Sequence, residues 1–412
     1  MTKPSSSPST EGQCPARSFN EFVAMLALCM SLVALSIDTI LPAMQDIGRE
    51  FSVPGENTQQ FIITALFAGL SLGQLIVGPL SDRLGRKVTI FYGLGLFVIG
   101  SLLCIVASDF NLFLAARFIQ GMGAAAPRVL VIAIVRDRYE GRVMAKVISY
   151  VMGIFICLPA IAPTIGQAFL MVAPWRGIFV LLMAIAAVIF VWLFLRLDET
   201  LHEEDRRPFT LLSLWQGIKT VCTNRMTLCY MVSAGFIFGA FMGYLNSSQQ
   251  IFQSYYDLGD KFPLYFGATA AAIGAAFFTN AQLVERYGMR AVIVTALIAM
   301  AIAGGIFGLY EIIVHGQVPL PAFMIYMLIS AFCMGMLFGN FNALAMVPMG
   351  HIAGMASAVI GCVSLVIAAG FGALIGQMFD NSLTPVTAGF FGLSLASLVM
   401  MYFAEKGTEN AS

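Results

Sequence analysis

The stretch Gly78-Pro-Leu-Ser-Asp-Arg-Leu-Gly-Arg-Lys87 is a short polar turn at the junction of two long apolar runs, residues 57–80 and 88–107. A related stretch, Ala281-Gln-Leu-Val-Glu-Arg-Tyr-Gly-Met-Arg290, follows a later apolar run. Leucine, an acid, arginine and glycine occupy equivalent positions in the two stretches, at a constant offset of 203 residues. The repeat indicates that the chain consists of two related halves.

The composition around these turns is that of a membrane protein. Of the 412 residues, 59% are apolar and only 11% are charged, whereas a soluble domain carries about 25% charged residues. Lys+Arg and Asp+Glu number 22 each, so no net positive field attracts nucleic acid. The eight cysteines show no CxxC or regular spacing, which indicates small hydrophobic residues and no disulfide framework or metal site. Composition excludes a disordered chain and argues against an ordinary soluble enzyme.

Apolar runs of about 20 residues, the length that crosses the hydrocarbon core of a bilayer, recur along the whole chain. They are residues 20–43, 57–80, 88–107, 111–135, 146–171, 175–196, 226–248, 263–284, 291–314, 322–347, 353–378 and 383–403. The first run is too long for a cleaved signal and has no small-residue cleavage site after it. We therefore expect an all-α membrane protein with twelve transmembrane helices.

The longest polar stretch between these runs, residues 197–225, divides the predicted helices six and six. Within it, residues 209–221 are apolar at helical spacing, which predicts an amphipathic helix lying on the membrane surface. The expected organisation is a disordered cytoplasmic tail (1–18), a six-helix bundle (19–196), a cytoplasmic linker (197–225), a second six-helix bundle (226–404) and a cytoplasmic tail (405–412).

The distribution of Lys and Arg predicts the orientation in the membrane. With both termini in the cytoplasm, seventeen of these residues fall in inside segments and three, Arg49, Arg176 and Lys261, fall in outside segments. This bias follows the positive-inside rule, so we expect a multi-pass protein of the cytoplasmic (inner) membrane. Arg117 and Arg128 complete the set of 22, and both lie within the fourth predicted span.

Three motifs resemble those of the major facilitator superfamily. Residues 78–87 resemble its loop 2–3 signature, G-x-L-a-D-R-x-G-R-K, and Arg117-Phe-Ile-Gln-Gly-Met-Gly-Ala-Ala125 resembles its fourth-helix motif, R-x-x-q-G-x-g-a-a. Ala162-Pro-Thr-Ile-Gly-Gln167 resembles part of the fifth-helix antiporter motif, with Ala and Gln in place of its first and last Gly. The resemblance implies two pseudo-symmetric six-helix bundles that alternate access to a central site.

Further segments resemble the bicyclomycin-resistance (Bcr/CflA-type) branch of drug:proton antiporters in this superfamily. They are residues 38–44, 135–137, 174–179, 339–345 and 353–358. The matches run from the first predicted span to the eleventh and so cover nearly the whole chain. The branch says little about the individual substrate.

Asp38 is the acid that we place deep in a span, where a charge costs on the order of several kcal/mol unless it faces a cavity or a partner. Asp38 and Arg117 each lie about six residues, roughly 9 Å, from the outer end of their spans, and the resemblance implies contact between helices one and four. The antiporter resemblance favours Asp38 as the proton carrier and Arg117 as the partner that sets its ionisation. The alternative is a permanent ion pair that only fixes helix packing.

Arg128 lies eleven residues after Arg117, which places both on one helix face about 16 Å apart. Arg128 either attracts anionic or polar substrate groups that come from the cytoplasm, or it extends its long side chain to the inner surface or to loop acids. The sequence leaves both interpretations open.

By the resemblance, a set of residues at the inner surface latches the outward-open state: Gly78, Asp82, Arg83, Gly85, Arg86 and Asp137. We expect Arg86 to pair with Asp137 and Gly85 to form a turn that a Cβ would obstruct; arginines that only set topology are the alternative. In the fifth span, Pro159, Pro163 and Gly166 break or soften the helix and predict a hinge. Bending without functional consequence is the alternative, because Pro and Gly are common in membrane helices.

Other residues are weaker candidates for substrate binding. The polar ones are Tyr244, Asn246 and Gln250 near the end of span seven, and Asn340 and Asn342 in span ten. These side chains either hydrogen-bond substrate or join helices. An apolar drug cavity is predicted from Phe67, Met152, Phe155, Phe236 and Phe338. With 34 Phe and 24 Met in the chain, lipid contact or core packing is the default for any one of them.

Other protein classes find little support. Gly69-Leu-Ser-Leu-Gly73 matches G-x-S-x-G but lies inside the second predicted span, without the strand-to-helix turn that gives this pattern its meaning. An ATP-driven pump requires a G-x-x-x-x-G-K-[ST] loop, which the sequence lacks. A channel predicts polar rings and no coupling acid.

The function expected is therefore export of small amphipathic drugs in exchange for protons, with no enzymatic activity, cofactor or metal. Export of a natural metabolite, such as a sugar or amino-acid derivative, is the alternative, and proton symport fits the fifth-span motif less well. The expected partners are a small-molecule substrate, protons and the lipid bilayer, without nucleic acid, and we expect a monomer.

Overall fold

The computed structural model describes residues 19–55, 57–201, 203–206 and 211–406. Helices make up nearly all of this part of the chain, which contains no β-strand. The expected disordered tail, residues 1–18, and most of the C-terminal tail lie outside the described residues. The predicted surface helix is described from Leu211 onward.

The described residues form a succession of α-helices joined by short turns. In chain order they are α1 (Phe19–Asp38), α2 (Met44–Glu50), α3 (Phe61–Leu84), α4 (Arg86–Val106), α5 (Phe110–Arg138), α6 (Gly141–Leu170), α7 (Arg176–Arg196), α8 (Leu211–Thr223), α9 (Arg225–Gln249), α10 (Phe262–Tyr287), α11 (Met289–Ile313), α12 (Leu320–Met346), α13 (Ala353–Gln377) and α14 (Thr384–Glu405). Twelve helical segments in this part of the chain are long and apolar enough to cross a membrane. Each of them coincides with one predicted apolar run, and the prediction of twelve spans is confirmed.

Short polar residues fix where several helices begin and end. The side chain of Asp109 accepts a hydrogen bond from Leu112 N (2.9 Å), and that of Asn224 accepts one from Thr227 N (3.0 Å). These N-caps satisfy amides that the first turn of a helix leaves unpaired. Gly85 and Gly288 end α3 and α10 with φ angles of +99° and +80°, which a side chain would disfavour. The sequence repeat aligns these two glycines, and both perform the same turn.

The long helices form two bundles around a central cavity. Helices α1 and α3–α7 pack against one another, and α9–α14 do the same. The main contacts between the bundles are α3 with α13 and α6 with α10. Inside the first bundle, a Cβ on Gly121 of α5 would lie 2.0 Å from Leu66 O of α3. Only glycine permits so close an approach, as is common between membrane helices.

The two ends of the molecule differ in chemistry. The end that carries the α3–α4 turn at Gly85 and the linker helix α8 is called the linker end. The opposite end, which carries the start of α3 and the chain after α9 and α13, is called the far end. Helix α8 packs on the second bundle at the linker end, where Gly217 lies against Met355.

Candidate functional site

A cavity of about 1250 Å³ lies between the two bundles. Near its deep end it is lined by Asp38, Phe67 and Phe238, and it extends to Asp82 and Gln216 at the linker end. Both bundles contribute to its wall, mostly with apolar side chains. A large apolar cavity with few polar groups between pseudo-symmetric bundles is a typical small-molecule site.

An aromatic surface formed by Phe67, Phe238 and Phe338 lies in the cavity wall. The ring of Phe67, from the first bundle, is 5.9 Å from that of Phe238, which in turn is 5.2 Å from that of Phe338. The predicted Met152 and Phe155 also line the cavity. The prediction for Phe236 is wrong, because its ring packs against Phe371 at 5.3 Å and Phe236 is absent from the cavity lining among the described residues.

Asp38 ends α1 and faces the cavity although its residue surface is only 4% exposed. Its carboxyl group makes no hydrogen bond or ion pair with the described residues. The expected pairing with Arg117 is therefore not formed. Arg117 does contact α1, but its guanidinium donates to Ser36 O (3.0 Å), to Gln120 Oε1 (2.5 Å) and to Ile62 O (3.4 Å). Neutral acceptors therefore satisfy the Arg117 guanidinium, and the Asp38 carboxyl group faces the cavity without an ion pair among the described residues.

Arg128 also lines the cavity. The sequence left open whether its side chain faces a substrate site or extends to the inner surface. In the described part of the chain it has no hydrogen bond or ion pair. Gln74 of α3, which sequence reasoning missed, lines the same cavity, and its Nε2 atom is buried without a partner among the described residues. A single glutamine in an apolar helix carries no signal that distinguishes it from a helix-joining residue.

Arg86 is at the centre of a polar network at the linker end. Its Nη1 donates to Asp82 Oδ1 (2.5 Å) and Ser81 Oγ (2.6 Å), and its Nε donates to Asp137 Oδ2 (2.9 Å). The structure thus brings Arg86 and Asp137 together as the sequence predicted. All three partners belong to the first bundle, so in this conformation the network ties α3, α4 and α5, and among the described residues it makes no contact with the second bundle.

Glu199 of the linker, which was not predicted, caps α4. It accepts hydrogen bonds from the backbone amides of Arg86 (2.8 Å) and Lys87 (3.1 Å). A Cβ on Gly85 would lie 2.3 Å from Glu199 Oε2, so the glycine is required for this approach as well as for its φ angle. Gly78 faces Ala358 of α13, whereas Arg83 is exposed and has no ion pair in the described part of the chain.

Helix α6 runs from Gly141 to Leu170 through both Pro159 and Pro163 without interruption, because neighbouring turns continue around the hydrogen bonds that proline removes. The hinge expected at these residues stays a prediction. Gly166 packs closely against α1, since a Cβ there would lie 2.1 Å from Thr39 O. Gln167 reaches across to the second bundle and donates to Asp260 Oδ1 (2.8 Å).

Most of the predicted polar contacts to substrate join helices instead. Tyr244 hydrogen-bonds Thr269 at 3.1 Å, Asn246 donates to Gly372 O at 3.0 Å, and Asn340 donates to Asn280 Oδ1 at 2.7 Å. None of the three predicted residues lines the cavity in the described part of the chain. Asn342 does line it, while donating to Phe338 O of its own helix (3.0 Å).

Gln250, the last of these candidates, belongs to a cluster of amides that closes the far end. This amide cluster consists of Asn57, Gln59, Gln60, Gln249, Gln250 and Gln377.

Its hydrogen bonds run from one bundle to the other. Asn57 Nδ2 donates to Gln377 O (3.1 Å) and Phe379 O (2.7 Å), and Gln377 Nε2 donates to Asn57 O (2.8 Å). Gln250 Oε1 accepts from Gln60 Nε2 (2.5 Å), and Gln250 Nε2 donates to Asn57 Oδ1 (2.9 Å). Together these contacts join the start of α3 to the second bundle at the far end.

Comparison with known proteins identifies the family. The family model described as Major Facilitator Superfamily matches residues 26–373. This chain belongs to the major facilitator superfamily. Its members are transporters, and the chain is a multi-pass membrane protein and not an enzyme. The serine of the G-x-S-x-G match agrees with this, because Ser71 is buried and its hydroxyl donates to Phe67 O (2.7 Å).

Two similar members of the superfamily cover almost all of the chain. The uncharacterized MFS-type transporter YdgK of Bacillus subtilis (strain 168) is 33% identical over 376 residues, which are 89% of this chain and 90% of that protein. The bicyclomycin resistance protein homolog of Haemophilus influenzae is 26% identical over 93% of this chain and 95% of that protein. The crystal structure of a D-xylose-proton symporter shares the fold, with 16% identity and a TM-score of 0.74 over 94% of this chain and 98% of the other.

Proposed function

We propose that this superfamily member is a monomeric secondary active transporter of the inner membrane that exports small amphipathic compounds in exchange for protons. The observation that carries the proposal is Asp38, a buried carboxyl group that faces an otherwise apolar central cavity without a protein partner among the described residues. The bicyclomycin resistance homolog among its relatives supports an amphipathic substrate.

Alternating access requires that one end of the cavity is closed while the other is open. The amide cluster joins the bundles at the far end, while the cavity extends to the linker end. We assign the linker end to the cytoplasm, because the Lys and Arg residues concentrate in segments on that side. With this orientation both termini are cytoplasmic and the conformation is inward-facing.

Proton exchange follows from the position of Asp38 at the deep end of the cavity. A carboxylate in an apolar setting is costly, and water that reaches it from one face or the other changes whether it holds its proton. Arg117 is satisfied by neutral acceptors and does not hold Asp38 in one ionisation state through an ion pair. Exchange requires that substrate and proton do not occupy the cavity together, so in the proposed cycle substrate binds after the Asp38 carboxyl group has released its proton to water.

The test begins with expression of the full chain in a pump-deficient bacterium exposed to a panel of amphipathic antibiotics. The compound that gives the largest gain in resistance is then used with proteoliposomes that contain a trapped pH-sensitive dye. We expect an imposed pH gradient to drive uphill transport and substrate addition to move protons in the opposite direction. Asp38→Asn should abolish both effects while substrate binding persists, and Asp38→Glu should retain part of them.

Two outcomes contradict the proposal. Transport by Asp38→Asn that still responds to the pH gradient would remove Asp38 from the coupling role. A complete absence of resistance, combined with gradient-driven transport of a sugar or amino-acid derivative, would favour the metabolite exporter instead.

A further inference from the structure

Arg128 and Gln74 are two hydrogen-bond donors in the cavity wall that the proposed proton exchange does not use. Neither the Arg128 guanidinium nor Gln74 Nε2 has a partner among the described residues, and the Gln74 residue is only 5% exposed. A buried donor without a partner, such as Gln74 Nε2, is rare in native proteins and calls for a ligand or water, and the half-buried Arg128 places an unpaired cation in the same cavity wall. We propose that Arg128 and Gln74 form an anion-binding subsite of the cavity, which holds the carboxylate of a small aromatic monoanion. This inference rests on the proposed role of the cavity as the substrate site.

The two donors lie at a similar depth. Gly73, the residue before Gln74, packs against α5, where a Cβ on Gly73 would lie 2.6 Å from Ala125 Cβ and 2.7 Å from Met122 O. Gln74 therefore lies beside the turn of α5 that leads to Arg128. A guanidinium offers several donors in one plane that match the two oxygens of a carboxylate. The amide of Gln74 adds a donor from the neighbouring helix.

The direction of the helix keeps the Arg128 side chain in the cavity. Helix α5 begins at the far end with Phe110 and ends at the linker end with Arg138. Side chains of a helix tilt toward its N-terminus, so that of Arg128 is directed toward the deep part of the cavity. The ten residues between Arg128 and Arg138 correspond to about 15 Å of helix, which argues against extension of the guanidinium to the linker-end surface.

Among the described residues, no acid that lines the cavity compensates the charge of Arg128. Of the acids that line the cavity, Asp82 is paired with Arg86 at 2.5 Å. The other acid, Asp38, lies deeper in the cavity. Arg117 donates to Ser36 O, close to Asp38 in the chain, and lies about 16 Å before Arg128 along α5. An anion on Arg128 would therefore be separated from the Asp38 carboxyl group.

The apolar part of the ligand is specified by the aromatic surface. Phe67, Phe238 and Phe338 line the same cavity and present ring faces and edges from both bundles. Aromatic rings pack favourably against such a surface in offset or edge-to-face geometry. An aromatic ring with one carboxylate satisfies both the donors and the wall.

The proposal is tested with 1-naphthoate and 1-naphthamide, two probes of nearly equal size that differ in charge. Binding to the full chain in lipid nanodiscs is measured by calorimetry at pH 7.5. We expect the wild-type protein to bind naphthoate at least tenfold more tightly than naphthamide. Arg128→Gln should remove this preference by weakening naphthoate alone, Arg128→Lys should retain part of it, and Gln74→Leu should weaken naphthoate severalfold.

Arg136→Gln is the matched control, because Arg136 lines the linker-end rim of the same cavity and is exposed. This variant should keep the preference for naphthoate; a loss of preference here and not in Arg128→Gln would place the anion at the rim and overturn the proposal. Absence of naphthoate binding to the wild type, or an unchanged preference in Arg128→Gln, would overturn it as well. Thermal unfolding verifies that each variant is folded.

Failure of this subsite differs from failure of the proposed function. If naphthoate binding is independent of Arg128 while Asp38-dependent proton exchange persists, the subsite is wrong and the exchanger stands. If naphthoate binding depends on Arg128 but no compound is transported against a pH gradient, the subsite stands and proton-coupled export is wrong.

Discussion

Removal of the Asn57 side chain should open the far end of the molecule. Asn57→Ala deletes three side-chain hydrogen bonds to the second bundle: two from Nδ2, to Gln377 O and Phe379 O, and one to Oδ1, from Gln250 Nε2. The backbone contact of Asn57 O with Gln377 Nε2 is retained. The variant therefore weakens the closure of the far end without removing every link.

The size of the shift follows from the net value of a hydrogen bond. When the far end opens, these amides bond to water, so each is worth about 0.5–1.5 kcal/mol and not its gross energy. Three bonds that share one side chain are not additive, and we take about 2 kcal/mol for the set. Each 1.4 kcal/mol corresponds to about tenfold, so the ratio of open to closed far ends should rise roughly 30-fold. A state populated at about 1% would then reach roughly a quarter of the molecules.

The distance between the bundles at the far end reports this shift directly. Spin labels at Met171 and Met378, both exposed, can be attached in a cysteine-free background and their separation measured by electron–electron double resonance. We expect a new, longer distance in Asn57→Ala. Gln45→Ala is the matched control, because Gln45 makes one exposed bond to Ser254 across the same boundary (3.1 Å), and its effect should be small.

A distance distribution in Asn57→Ala that is the same as in the wild type would refute the idea that the amide cluster holds the far end closed. Equal effects of Asn57→Ala and Gln45→Ala would refute the more specific claim that the buried amides dominate the closure. An unchanged distance distribution would indicate that the packing of α3 on α13 and of α6 on α10 holds the far end closed instead.

Three further predictions concern packing, the cavity and the linker end. Gly121→Ala should lower the thermal unfolding temperature because its Cβ would meet Leu66 O at 2.0 Å, whereas Gly370→Ala, with nothing within 4 Å, should leave it unchanged or raise it slightly. Phe238→Ala should weaken binding of an aromatic ligand severalfold in calorimetry, and Phe236→Ala, outside the cavity lining among the described residues, should not. Arg86→Gln should slow transport in proteoliposomes with little effect on binding, since it leaves the acids that Arg86 pairs with uncompensated; wild-type rates would contradict a role for the network in switching.

The fold could be predicted from the sequence because membrane helices are determined locally. Length and apolar content decide whether a segment crosses a bilayer, and each predicted run coincides with a long helix. The turn at Gly85 was predictable for a similar reason: a glycine two residues after an arginine, repeated at Gly288, indicates a required backbone conformation.

The partners inside the site could not be predicted in the same way. Depth along a helix placed Arg117 near Asp38, but depth does not specify which acceptor a guanidinium selects, and Gln120 and two carbonyl groups satisfy it instead. Tyr244 and Asn340 are polar residues in apolar helices, as expected for ligand contacts and for helix joints alike. Only the packing of α9 and α12 against their neighbours shows that both are joints.

The amide cluster was missed although the sequence carries a signal for it. Residues 57–60 resemble ordinary polar punctuation before a span, and Gln250 was considered only as a substrate contact. The same dipeptide, Gln-Gln, occurs at 59–60 and at 249–250. Gln59 donates to Gln249 Oε1 (3.5 Å), and Gln60 donates to Gln250 Oε1 (2.5 Å). Paired amides near the ends of spans in opposite halves are therefore worth testing as closing contacts in sequences of this architecture.

The use of amides for closure has an energetic consequence for the proposed cycle. The ion pairs of Arg86 lie within the first bundle and remain intact when the bundles separate at the far end. Opening there exchanges amide–amide bonds for amide–water bonds, at about 0.5–1.5 kcal/mol for each bond. A proton that moves across a difference of one pH unit supplies about 1.4 kcal/mol, which is of the same order. Neutral amides that exchange one set of hydrogen bonds for another therefore keep the two states close enough in free energy for a modest pH gradient to drive the exchange.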